Sequence, residues 1–355
     1  MAALGACLRH PPAPLGYARG RLKSSCAPLV FIFTVIFMES FVPSFDGLTI
    51  ACIVPCHNEE VAVGTVVADL KRALPTADIY VYDNRSTDRT VEVALAAGAI
   101  VRHEHIKGKG NVVRRAFADI EADIYLMIDG DDTYDASAAP RMIETLLAGP
   151  YDHVLGVRKE TTSTSYRPGH STGNKAFNNL ISGVFGARVN DMLSGYRIFS
   201  RRFVKSFPAV SREFEIETEL TVHSVSLRVP QTEVEVGFKD RPEGSESKLS
   251  TYRDGFKILN LIVSLVRHER PVLFHGLIAA LLAIISIIVA IPVVIDFFQT
   301  GLVPRLPTAV AASSLFVIAA LVLFLGFVLD GITKSRHENA RLTYLEFPAV
   351  GHKAR

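Results

Sequence analysis

The chain has 355 residues, of which 21% are charged and 49% apolar, with a formal net charge of +2. These values exclude a disordered chain and a wholly membrane-embedded one, and fit one sizeable soluble domain plus a smaller part. Near-neutrality gives no reason to expect a nucleic-acid partner, which usually demands a strongly basic face.

Residues 1–47 form an N-terminal extension. Its first part is rich in Pro, Ala and Arg, and Arg9, Arg19, Arg21 and Lys23 precede a short apolar run, Pro28 to Met38. The pattern imitates a secretory signal, but the run is short for a span. The expectation is that Met38 is the true start, which mass spectrometry of the native N-terminus checks.

From Leu48 onward strand and helix patterns alternate. LTIACIVP is an apolar, β-branched run that reads as a buried parallel strand. EEVAVGTVVADLKRAL is an amphipathic helix opened by two acids. ADIYVYDN is the second strand, and TDRTVEVALAAG a second helix closed by Gly98, with Ser86 or Thr87 as its expected cap. AIVRHEH, GNVVRRAFADI and DIYLMIDGDD continue as strand, helix and strand. This order predicts an α/β domain over 48–255, built on a mainly parallel sheet with helices on both faces. Cys52 and Cys56 fall in the first strand and the turn after it. Together with Cys7 and Cys26 they form no metal-finger pattern, so all four read as free thiols in a reducing setting.

After a juxtamembrane segment, 256–271, the interval 272–331 holds two uncharged apolar runs, about Gly276–Ile295 and Thr308–Leu329. Each has the roughly 20 residues that a transmembrane helix needs. The linker Asp296–Pro307 reads as a hairpin turn whose only cation is Arg305. Arg267, His268 and Arg270 precede the pair, and Lys334, Arg336 and Arg341 follow it in a tail, 332–355. The positive-inside rule then places both flanks, and the large domain, in the cytoplasm of a multi-pass membrane protein.

Ligands of open α/β sheets bind beyond the carboxyl ends of the strands, where polar residues cluster here. Asp129-Gly130-Asp131-Asp132 follows the apolar strand YLMI. Asp129 and Asp131, two apart on an extended chain, would share a side and repel unless a cation lies between them, and their hard oxygens suit Mg²⁺ or Mn²⁺ bound jointly with phosphates. Asp83 ends the second strand, where a carboxylate can accept from a nucleobase or ribose hydroxyl. Lys109, framed by Gly108 and Gly110 before a helix, reads either as a phosphate-approaching loop or as a solvated turn. Glu215, Glu217 and Glu219 alternate in FEIETEL, half suggesting a solvated face. Arg241, Lys248 and Arg253, with Ser245 and Ser247, make a cationic loop next to the membrane segments, suited to a lipid phosphate.

The pieces VPCHNEE, YDNRSTDRT, GKGNVVRRAF, DGDDTYD, DMLSGYRIFSRR, FEIETEL and RPEGSESKLSTY together resemble family 2 glycosyltransferases of GT-A fold, in particular the polyprenyl-phosphate sugar synthases. That resemblance covers about Thr49–Gly255 and implies a Rossmann-like catalytic domain followed by a membrane hairpin. By it, Pro55, Asn58, Glu59, Asp83 and Lys109 hold the nucleotide-sugar, a UDP- or GDP-linked donor, together with Asp129 and Asp131, which also bind the metal. Arg158, Arg241, Ser245, Ser247 and Lys248 hold the acceptor phosphate, and Asp131, Glu217 and Arg158 serve catalysis. Thr133 stands where many relatives carry Gln, and Arg85 where an acid is common. The implied reaction is an inverting displacement by a polyprenyl phosphate, already anionic, so no protein base is required. A hydroxyl acceptor, which would need a base such as Glu217, is the alternative. A processive synthase is disfavoured by two spans and the absence of Trp, and an inactive scaffold by the intact acidic pair. Membrane members can also associate through their helices, which leaves a homo-oligomer open.

Overall fold

The structure, a computed structural model, describes residues 45–160, 190–210, 215–241 and 263–351. Residues 1–44 of the N-terminal extension, with Cys7, Cys26 and the run Pro28–Met38, lie outside the described residues, as do Ser245, Ser247 and Lys248.

Among the described residues seven strands form one sheet in the order β3-β2-β1-β4-β6-β5-β7. They are β1 (Ile50–Cys56), β2 (Asp78–Asp83), β3 (Ile100–His103), β4 (Ile124–Met127), β5 (His153–Glu160), β6 (Arg197–Ser200) and β7 (Gln231–Phe238). Only β6 runs against its neighbours, pairing antiparallel with both β4 and β5. The GT-A class expected from the sequence, with a mainly parallel sheet, is the observed one. Side chains alternate across the pleat. Ile50, Cys52, Val54 and Cys56 face one core layer, while Ala51 and Ile53 face the other. The first layer is covered by α1 (Val63–Ala73) and α4 (Ala139–Ala148), whose Val63, Val66, Val67, Leu70, Met142, Ile143 and Leu146 are buried in it. The second is covered by α3 (Lys109–Asp119), α5 (Arg201–Ser206) and α6 (Ile216–Ser226). It contains an aromatic stack in which Phe199 and Phe203 lie 4.7 Å apart and His153 stacks on Phe199 at 5.0 Å.

Register sets the site. Cys56 is paired with Asp83, and Asp83 with His103, so the polar ends of β1, β2 and β3 are level. Met127 opposite Arg197 brings the turn before β6 beside the acids that follow β4.

Several local expectations change. The first helix begins at Val63, with no acid in its first turn. Glu59 and Glu60 are drawn away, the Glu59 N–H donating to Thr90 Oγ1 and Glu60 Oε2 accepting from the Arg89 N–H. Neither Ser86 nor Thr87 caps α2 (Thr90–Ala96); both bond to Asn58, and Asp88 Oδ1 takes the Thr90 N–H. Within FEIETEL a helix begins at Ile216, in place of an alternating solvated face, and Glu217 is buried.

Two helices, α7 (Pro271–Thr300) and α8 (Leu306–Glu346), are long and apolar enough to cross a membrane. Their apolar side chains are largely exposed, with Leu277, Phe298 and Phe324 each more than 60% accessible. The turn between them is shorter than the sequence suggested. The first helix runs on to Thr300, and Pro307 sits in the first turn of the second, where its missing N–H costs nothing. Ser286 Oγ donates to the Ala312 carbonyl at 2.8 Å, and Arg305 pairs with Asp296 at 3.1 Å. Beyond its apolar run, α8 continues as one helix to Glu346, through most of the segment expected as a tail.

Candidate active site

At the carboxyl end of β4 the chain turns sharply. Gly130 lies so close to the end of β1 that a Cβ there would stand 2.4 Å from Cys56 Sγ. A residue with a side chain would push the two acids away from the sheet, which is why glycine separates them. The acids therefore do not continue an extended strand, as their spacing suggested: β4 ends at Met127 and the chain turns at Gly130 and Asp131. They occupy a turn and are gripped from different directions.

Asp129 Oδ1 accepts from Lys109 Nζ, and the same ammonium donates to Glu217 Oε1 at 2.6 Å. The Lys109 side chain is only 8% exposed. Burial alone would lower its pKa, but the charges of Asp129 and Glu217 outweigh that and hold it above the usual lysine range. Asp131 is buried. Its Oδ1 accepts from Thr133 Oγ1 at 2.6 Å, and its Oδ2 from Arg241 Nη2 at 2.6 Å. Thr133 thus aims a site carboxylate.

A second cluster lies at the ends of β1 and β2. Asn58, in a left-handed conformation (φ 56°), takes the Thr87 N–H on Oδ1 and gives its own N–H to Ser86 Oγ. Asp83 is buried, accepts from the Ser86 N–H at 3.2 Å and lies 3.5 Å from His103 Nδ1. Pro55 is in the strand just before. The two clusters meet around Cys56. Burial first, then the charges of Glu59, Asp83, Asp129 and Asp131, push its thiol well above the usual range. The structure therefore brings together Pro55, Asn58, Glu59, Asp83, Lys109, Asp129, Asp131, Glu217 and Arg241.

Arg158 is reached through a chain of contacts. Asp191 grips it with two bonds of 2.7 Å, and its guanidinium lies 5.4 Å over the Phe238 ring. Phe238 packs on Tyr134 at 5.3 Å, and Tyr134 Oη accepts from the Gly195 N–H at 2.9 Å. A Cβ at Gly195 would stand 2.3 Å from Asp129 Oδ2, so this turn too needs glycine.

Sequence reasoning assigned no role to Asn84, Asp191 or Arg197, although two lie in the quoted DMLSGYR. Asn84 ties down the loop before Lys109, donating to the Glu104 and Ile106 carbonyls and accepting from the Gly108 N–H at 2.7 Å. Arg197 is fully buried. It donates to the Ser194 and Met192 carbonyls and to Thr221 Oγ1, and burial pushes its pKa down to about 10, leaving it charged. Its fork fixes the 191–196 turn that carries Asp191 and Gly195.

Among the described residues no three His, Cys, Asp or Glu side chains form a metal cage. The carboxylates of Asp129 and Asp131, each held here by a cationic side chain, are hard oxygen donors of the kind that fit a divalent ion completed by substrate oxygens.

Residues 51–207 match the family described as Glycosyl transferase family 2. The chain is 35% identical over 240 residues to glycosyltransferase AglJ of Haloferax volcanii, covering 66% of this chain and 77% of that one. It is 29% identical over 227 residues to a dolichyl-phosphate hexose transferase of the same organism, covering 64% and 97%. Glucosyl-3-phosphoglycerate synthase from Mycobacterium tuberculosis, solved with Mn²⁺, UDP-glucose and phosphoglyceric acid, shares the fold with a TM-score of 0.52. It is 22% identical, covering 62% of this chain and 79% of that one. The chain belongs to glycosyltransferase family 2 and is a glycosyltransferase.

Proposed function

We propose that this enzyme transfers a hexose or N-acetylhexosamine, with inversion, from a nucleoside diphosphate sugar to a polyprenyl phosphate at the cytoplasmic face of the membrane. The observation that carries the reading is the pairing of Asp129 and Asp131 with Lys109 and Arg241 at the carboxyl edge of the sheet, in a chain that also carries two long apolar helices. The dolichyl-phosphate hexose transferase relative supports the lipid acceptor. Arg267, His268 and Arg270 before the hairpin, and Lys334, Arg336 and Arg341 after it, support the cytoplasmic orientation.

Asp129 and Asp131 would hold Mg²⁺ or Mn²⁺, which neutralises the departing diphosphate. Asn58, Glu59 and Asp83, beside Pro55, would receive the nucleoside, and Lys109 would bring further positive charge towards the diphosphate. Arg158, kept in one orientation by Asp191, and Arg241 would hold the acceptor phosphate by charge-assisted bonds, with Ser245, Ser247 and Lys248 as further donors. The phosphate oxygen attacks the anomeric carbon as the nucleoside diphosphate leaves. The nucleophile is already ionised, so the residues act by positioning and charge, with Glu217 fixing Lys109 beside the sugar.

The test is a screen of radiolabelled UDP-glucose, UDP-N-acetylglucosamine and GDP-mannose with purified protein and a polyprenyl phosphate. One donor should deliver label to the organic phase, EDTA should stop it, and Mg²⁺ or Mn²⁺ should restore it. Full turnover after complete chelation, or label only in water-soluble products, would overturn the reading.

A further inference from the structure

The part of α8 beyond its apolar run is held at regular intervals. Thr333 Oγ1 donates to the His268 carbonyl at 3.1 Å, and His337 Nε2 lies 3.1 Å from Glu269 Oε2, which also accepts from Ser226 Oγ. Ala340 packs against the second core layer, and Tyr344 is buried in it at 3% exposure, although Leu342 and Leu345 on either side exceed 60%. The spacing 333, 337, 340, 344 places all four on one helix face.

Tyr344 makes the most elaborate of these contacts. Its hydroxyl donates to Asp152 Oδ2 at 2.6 Å, and Asp152 is itself gripped by Arg202 through bonds of 2.6 and 2.5 Å. The guanidinium groups of Arg202 and Arg341 each lie 4.7 Å from the Tyr344 ring, and Arg201 lies 5.4 Å from Phe347. Asp152 directly precedes β5, the strand that carries Arg158. From Asp330, where the apolar run ends, to Tyr344 the helix rises about 21 Å.

We infer that this extension is a strut and Tyr344 its lock, a positioning residue that holds the catalytic domain at one height and tilt above the bilayer. A continuous helix transmits the orientation of a membrane span. A flexible linker would let the domain tumble and spread the distance between the site and any substrate confined to the membrane. A soluble acceptor would be indifferent to that spread. The consequence for catalysis rests on the lipid acceptor proposed above; the geometric consequence does not.

The experiment uses the full chain in nanodiscs, wild type against Tyr344→Phe and Tyr344→Ala. With a long-chain polyprenyl phosphate in the bilayer, kcat/KM should fall tenfold or more for Tyr344→Ala, and less for Tyr344→Phe, which keeps the ring. With a ten-carbon isoprenyl phosphate added from water, both variants should stay within twofold of wild type. Equal losses on both acceptors, or no loss on either, would overturn the inference. A second readout is energy transfer from a dye on Leu95→Cys, in a chain carrying Cys7→Ser and Cys26→Ser, to a headgroup dye. The distance distribution should be narrow in wild type and broad in Tyr344→Ala, and an unchanged distribution overturns the strut. If it broadens while no polyprenyl phosphate is ever glycosylated, the strut stands and the proposed acceptor falls.

Discussion

In the catalytic domain, groups that water would otherwise solvate are buried: Lys109 between Asp129 and Glu217, Asp131 between Thr133 and Arg241, and Arg197 among carbonyls and a hydroxyl. In the α7–α8 hairpin the reverse holds, and leucine, isoleucine and phenylalanine side chains face outward along both helices. Each region would be unstable in the other's setting. The polar network survives because every charge has partners fixed by the sheet, and the hairpin because its surroundings are expected to be hydrocarbon, where its only polar needs are internal. Energies should therefore concentrate on single residues in the first region and spread thinly over the second.

The sharpest break of that contrast is Lys109→Met. It leaves Asp129 and Glu217 facing each other without their cation, and should cost about 3–5 kcal/mol of stability. Chemical denaturation of the detergent-solubilised protein measures it; a loss under 1 kcal/mol would mean the network is not a unit. Asp131→Ala should lower turnover roughly 10²–10³-fold with the fold intact, because Arg241 is exposed enough to turn to water. Near-normal turnover with unchanged metal dependence would remove Asp131 from the site.

A smaller effect comes from His223, in the last turn of α6. Burial, and then the charge of His337, push His223 down to about 4. The unfolded chain takes up this proton near pH 6.5 and the folded chain only near 4, so stability is complete above pH 6.5 and is lost as pH falls towards 4. The expected loss by pH 4 is roughly 3 kcal/mol. Thermal unfolding from pH 8 to 4.5 should show the decline and His223→Gln should shrink it; an identical decline in the variant would assign it elsewhere. The smallest effect belongs to the hairpin. Ser286→Ala removes the bond to the Ala312 carbonyl and should cost only about 0.6 kcal/mol, read from reversible unfolding in mixed micelles. A cost of several kcal/mol there would erase the contrast between the regions.

The apolar runs, the strand–helix alternation and the polar strand ends were legible in the sequence because they are local: period, length and punctuation suffice to place β1, β2, β4 and the two long helices. The acidic pair, and the lysine framed by glycines, could be singled out on the same grounds. What joins Lys109 to Glu217 across 108 positions, or Arg241 to Asp131 across 110, is the order of strands in the sheet, and no local pattern encodes that. The same holds for Tyr344 and Asp152, 192 residues apart. Hydrophobic pattern fixes which face of an element turns inward, whereas the partner that meets a buried charge is decided by packing at long range. The sequence alone thus determined the class of enzyme and its candidate acids. Only the tertiary structure decided that each acid is held by a cation, that Arg158 is held by Asp191, and that α8 returns to pack on the α/β domain.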